Sequence, residues 1–213
     1  MGRRKPQKGG GGGGGDGARG TESVLEAAEE AVERGEKQLR MREPKKSRAR
    51  FVEAVEAVRS AGLAGDRRGS LLLASAVGSI LQIDAEEDIQ VAWLGVGRAG
   101  AISTPEQRRQ ELIEADAALV AGQQAAVGAG AEEDELAHFC ESRASVATLL
   151  AELLERGDAD DAALEATGRA MDQLKEAGRL QLAAQSAAGI ERPEPDAGLL
   201  SSLGSACIAR ARL

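Results

Sequence analysis

Gly95-Val96-Gly97-Arg98-Ala99-Gly100 matches G-x-G-x-x-G, the pattern in which a glycine turn lets backbone N–H groups approach a pyrophosphate. That chemistry needs a strand before the glycines, a helix directly after them, and a second strand ending in an acidic residue for the ribose. Residues 89–94 can be forced into the first strand. Pro105, however, interrupts the helix, and Asp116, at the right distance for the acid, falls inside a helical pattern. A nucleotide-binding enzyme using Gly95, Gly97 and Gly100 is kept as an alternative, and no catalytic residue is assigned.

His138 is the only histidine, and Cys140 stands two residues on. A Cys-His pair can serve as nucleophile and base. A structural zinc needs four ligands, and there is no C-x-x-C and no second histidine, so no metal is expected. Cys140 and Cys207 lie far apart in apolar helical contexts, which reads as two buried free thiols. The acidic clusters Glu86-Glu87-Asp88 and residues 132–135 sit at helix starts, where carboxylates complement the macrodipole. Residues 40–50 carry six basic side chains, but no aromatic is interleaved to stack a base, so the expectation is a solvated turn.

The elements that must position these groups are helices. From Thr21 on, apolar residues recur at spacings of three and four, as in Leu25, Ala28, Val32, Gly35 and Leu39. Pro44 interrupts, and Phe51, Val55 and Val58 form a second face that ends at Gly62 and Gly65. Residues 71–83 are apolar on more than one side, as expected of a helix between neighbours. Asp84 followed by Glu87 reads as a capping box opening a new helix. Thr104-Pro105-Glu106-Gln107 reads as another, through Leu112, Ile113, Ala117 and Val120. Gly128 and Gly130 end that helix. The next runs from about Glu132 to Arg156 with Leu136, Phe139, Cys140, Ala147, Leu150 and Leu154 inward. Gly157-Asp158 marks a turn and cap before a face of Leu164, Met171 and Leu174. Pro193 and Pro195 break the chain again, and Asp196 caps a last helix through Leu203 and Cys207. Strand alternation is nearly absent.

The expected fold is all-α: an irregular stack of antiparallel helical hairpins with about seven to nine helices. Residues 21–213 form the helical domain, behind a disordered basic glycine-rich tail at 1–20. The tail carries Arg3, Arg4, Lys5, Lys8 and Arg19 against Asp16, whereas the whole chain has a formal net charge of −8. An acidic body argues against wrapping nucleic acid, which leaves the tail as the one place for such a contact. It suits a basic protein partner. No apolar run is long enough to span a bilayer, and no hydrophobic signal segment opens the chain, so cytosol or nucleus is the expected address. No cofactor is implied, and the oligomeric state is left open.

One spacing repeats. Gly35, Phe51 and Ala54 place a small residue in a first helix, a bulky one sixteen residues later and an alanine three beyond. Gly78 and Leu94 repeat it, beside Trp93 and with Pro105 near the unit's expected end, and Leu203-Gly204 looks like the first helix of a further unit. On these positions the chain resembles tetratricopeptide-repeat proteins. The family's tyrosines and its first-helix tryptophan are absent, and Gly35 to Gly78 exceeds the family period of about 34 residues. The alternative is an alanine-rich irregular helical bundle that self-associates without a specific client. The layout of a basic tail on an acidic body is similar to that of ribosomal-protein assembly chaperones of the same superfamily. The resemblance implies a non-catalytic adaptor or chaperone for a basic client, with the concave face of the stack as its binding surface.

Overall fold

A computed structural model describes residues 15–94, 104–157, 159–191 and 193–212, with backbone alone for 15–19 and 85–94. The described residues form seven helices and no strand. These are α1 (Gly15–Arg40), α2 (Pro44–Ser60), α3 (Arg67–Leu94), α4 (Pro105–Gly128), α5 (Glu133–Glu155), α6 (Asp160–Ala187) and α7 (Ala197–Arg212). Each helix packs on the next, and α1 also touches α3, as α3 touches α5. The chain therefore folds as successive antiparallel hairpins stacked side by side. The residues before Gly15 lie outside the described residues; Gly15 to Gly20, read from sequence as tail, belong to α1.

The turn chemistry explains most boundaries. Thr104 caps α4: its hydroxyl accepts from the Gln107 N–H at 3.2 Å, and Gln107 Oε1 accepts from the Thr104 N–H at 2.8 Å. Pro44 and Pro105 occupy first-turn positions, where a missing N–H costs nothing. Gly62 and Gly130 follow α2 and α4 with φ of +69° and +74°, the left-handed exit that a Cβ disfavours.

Between the helices the core is built largely from alanine. Ala28, Ala54, Ala76, Ala115, Ala163 and Ala166 are all buried, and such small side chains let the helices approach closely. That is why so few aromatics suffice. Phe51 and Phe139 are fully buried and fill the larger gaps. One continuous core runs from Ala28 in α1 to Ala166 in α6, whereas two small clusters hold α7 through Leu199 and Ala206.

Several sequence expectations are corrected by packing. Asp84 opens no helix: α3 runs unbroken through it, and its side chain is 1% exposed. Arg48 of α2 donates to it with two nitrogens, Nε to Oδ1 at 2.7 Å and Nη2 to Oδ2 at 3.2 Å. That fork satisfies a carboxylate that burial would otherwise penalise. Residues 40–50 are accordingly no solvated turn; only residues 41–43 are non-helical, and Ser47 is fully buried. Leu164 is exposed, because Ala163, Ala166, Thr167 and Ala170 take the inner face of α6. Cys207 is exposed as well; only Cys140 is a buried thiol.

Candidate functional site

Of the residues singled out for the repeat, the structure brings one pair together. A Cβ on Gly35 would stand 2.8 Å from Cε1 of Phe51, so α1 and α2 meet ring against backbone. Ser47 adds a hydrogen bond from its hydroxyl to the Gly35 carbonyl at 2.8 Å, and Ala54 is buried one turn on from Phe51. Gly78 and Leu94 are not brought together: both lie on α3, sixteen residues and so about 24 Å apart along one helix. A Cβ added at Gly78 would meet only Leu149 of α5, at an ordinary 3.6 Å. Trp93 lies in the last turn of α3 with Leu94, and the side chains of both fall outside the described residues. Gly204 is exposed, with nothing within 4 Å of a Cβ built on it.

A second tight glycine was missed. Gly122 of α4 is wedged between Ser70 of α3 and Phe139 of α5; a Cβ there would overlap the Ser70 hydroxyl and stand 3.1 Å from the Phe139 ring. The pair Gly122 and Phe139 differs by one residue from the Gly35 to Phe51 spacing, which is why a search at a fixed interval passes over it.

The groups considered for catalysis stay apart. Gly95 to Gly100 lie outside the described residues. Asp116 sits within α4 and pairs with Arg143 at 3.1 Å. His138 is exposed while Cys140 is buried, so they face different surroundings. Burial pushes the Cys140 thiol up, against a weaker opposing hydrogen bond from Gln123 Nε2 at 3.6 Å. Among the described residues no group of three or more His, Cys, Asp or Glu side chains can hold a metal. Nor is any helix among them long and apolar enough to cross a membrane.

One concave feature is a groove of about 640 Å³ lined by α5, α6 and α7, with Gln82 of α3 also in its lining. One wall is a stripe on α5: Glu141, Ser145, Thr148, Glu152 and Glu155 recur at spacings of three and four, so they share a face. The other wall is the Ser201, Ser202 and Ser205 side of α7, and Leu174, Leu199 and Ala206 make the floor. Asp196 stands at the start of α7. Four carboxylates thus line the groove, with no lysine or arginine among its lining residues.

Polar contacts fix this geometry. Gln181 of α6 donates to Glu141 Oε1 at 2.6 Å and accepts from the Asp196 N–H at 3.2 Å, tying α5 to the chain entering α7. Gln185 makes a reciprocal pair with the Glu194 backbone at 2.8 and 2.9 Å. Asp196 Oδ1 accepts the N–H groups of Gly198 and Leu199 at 2.7 and 3.3 Å, the cap expected from sequence. The hydroxyls of Ser145 and Thr148 donate to carbonyls of their own helix at 3.0 and 2.9 Å, leaving their lone pairs toward the groove. Such a surface can accept hydrogen bonds and positive charge. No family model, curated protein or solved structure matches the chain.

Proposed function

We propose that this protein is a non-catalytic adaptor or chaperone that takes a basic segment of a partner protein into the α5–α7 groove, acting in cytosol or nucleus. A ribosomal protein is the kind of client that the sequence resemblance points to, and the tetratricopeptide-like kinship belongs to the same proposal. The observation that carries it is the placement of Glu152 and Glu155. Both stand in the last turn of α5, where the helix macrodipole disfavours negative charge; Arg156 follows as the C-cap, but neither glutamate is ion-paired with it. Neither is among the ion-paired carboxylates of the described residues. Their position opposes helix stability and favours capture of a cation. The net negative chain would speed encounter with a basic client more than it tightens the final complex.

A synthetic lysine- and arginine-rich peptide tests this by fluorescence anisotropy. Replacing Glu141, Glu152 and Glu155 together by Gln should weaken binding about tenfold, roughly 1.4 kcal/mol. A control in which Glu26, Glu33 and Glu56 become Gln removes the same charge from α1 and α2 and should change affinity by less than about twofold. Equal losses in the two variants would mean that net charge alone attracts the peptide, and the groove reading would fall.

A further inference from the structure

The last helix, α7, presents three sides. Leu199 and Ala206 are buried against the stack, and Ser201, Ser202 and Ser205 face the groove. The third side carries Ala197, Leu200, Gly204, Cys207, Ile208 and Ala211, every one exposed and none charged. Leu200 is 52% and Ile208 57% exposed, large apolar side chains left about half uncovered in one chain. We infer that this side is where a second copy of the chain docks, its α7 crossing the first antiparallel about Gly204.

The order of residues along the helix supports that occupant. A two-fold contact is isologous, so each residue must meet a counterpart equally far from the axis on the other side. Four residues either side of Gly204 stand Leu200 and Ile208, which meet as an apolar pair. Seven residues out stand Ala197 and Ala211, small enough not to hold the helices apart. Eight residues out stand Asp196 and Arg212, opposite charges that a two-fold brings together twice. Asp196, Leu200, Gly204, Ile208 and Arg212 form one row at intervals of four. Two such rows interdigitate when helices cross at about −50°.

Gly204 then has a role in the pair that it lacks in one chain. Nothing lies within 4 Å of a Cβ built on it, so the fold of a single copy does not require glycine there. At the crossing point a missing side chain lets two backbones approach. Charge selects the same face. Two copies each carrying −8 repel, but α7 contains no acidic residue and carries Arg210 and Arg212 in its last turn. Neither arginine pairs with a carboxylate among the described residues, so Arg212 is available to Asp196 of a second copy.

Sedimentation velocity of the full chain over a concentration series is the first test. Weight-average mass should rise toward twice that of one chain, and Ile208→Glu or Leu200→Glu should return it to one without loss of thermal stability, since both side chains are already exposed. Position 204 gives a sharper reading. In a Cys207→Ser background, Gly204→Cys should cross-link to a dimer on mild oxidation, because the axis brings its two copies face to face. Glu56→Cys on α2, in the same background, should not. A single-chain mass at every concentration up to about 0.1 mM would overturn the inference. So would equal cross-linking at positions 204 and 56. Ile208 lies off the groove, so Ile208→Glu should still bind the basic peptide; the two readings fail separately.

Discussion

The two ends of the stack are held by different means. At the α1–α3 end, large and polar groups are buried and matched: Phe51 against Gly35, Ser47 on the Gly35 carbonyl, and Arg48 forked onto Asp84. Arg68 adds a rim contact, pairing with both Glu22 and Glu29 of α1. At the α7 end, two small clusters carry one helix, and glutamines help to fix its approach. The first arrangement stabilises through burial; the second leaves small, serine-rich and apolar surfaces facing outward. Buried large groups and outward-facing apolar and serine-rich surfaces are thus placed on different helices of one chain.

The comparison breaks first at Phe51. Phe51→Ala removes a fully buried ring and should destabilise by about 3–5 kcal/mol, which lowers Tm by about 10 °C in a chain of this size. An unchanged Tm would mean that the α1–α2 end is not where the stability resides. Arg48→Met comes next. It leaves the Asp84 carboxylate buried without its partner, at a cost of about 3 kcal/mol. Adding Asp84→Leu to it should restore most of the loss in a urea titration, because two apolar groups replace a satisfied pair. No recovery would mean that the ion pair stabilises in its own right.

These same residues mark how far the sequence could be read. Helix ends were legible because they are local: Thr104 with Gln107, Pro44, Gly62 and Gly130 act within a few residues. So was the Gly35 to Phe51 contact, since a hairpin brings two fixed positions together. Asp84 was not, because an acidic residue with Glu87 three places on looks like a capping box. Only Arg48, distant in sequence and on another helix, decides that it is interior. Gly78 with Leu94 failed for the same reason: the false start at Asp84 split one long helix in two. Gly122 with Phe139 needed a spacing one residue longer. The polar stripe on α5 is visible as a pattern, but the groove is not, because it exists only where α7 leans across α5 and α6.

Leu199→Ala tests the weaker end. It removes the side chain through which α7 meets Ala177, Leu180 and Cys140, and should cost about 2 kcal/mol. The loss should be local: amide exchange in α7 should quicken while α1–α3 keeps its protection. The thiols give a second readout. Exposed Cys207 should react with a thiol reagent in the native protein, and Cys140 only on opening. Burial raises the Cys140 pKa above its unfolded value, so on the alkaline side the unfolded state holds fewer protons and stability falls as pH rises through the thiol range. Leu199→Ala should speed Cys140 modification and leave Cys207 unchanged. Uniform loss of protection along the chain would instead show that the stack unfolds as one unit.

The smallest effect is a gain, and it sharpens the contrast within the stronger end. Gly62, Gly130 and Gly189 follow helices with positive φ, and the next N–H bonds back to a carbonyl five residues earlier. At the exit of α1 the same turn is made by Arg42, with φ of 59° and the Glu43 N–H on the Gln38 carbonyl at 2.9 Å. A Cβ in that region costs about 1–2 kcal/mol. Arg42→Gly relieves it and loses no ion pair to a described residue, but the freer unfolded chain offsets about 0.4–1 kcal/mol. The net should be a stabilisation of roughly 0.5–1 kcal/mol in a urea titration, with no change in slope. If the variant is instead less stable, the α1–α2 turn tolerates arginine at no cost. The hairpin would then owe its geometry to the Gly35–Phe51 contact rather than to its turn.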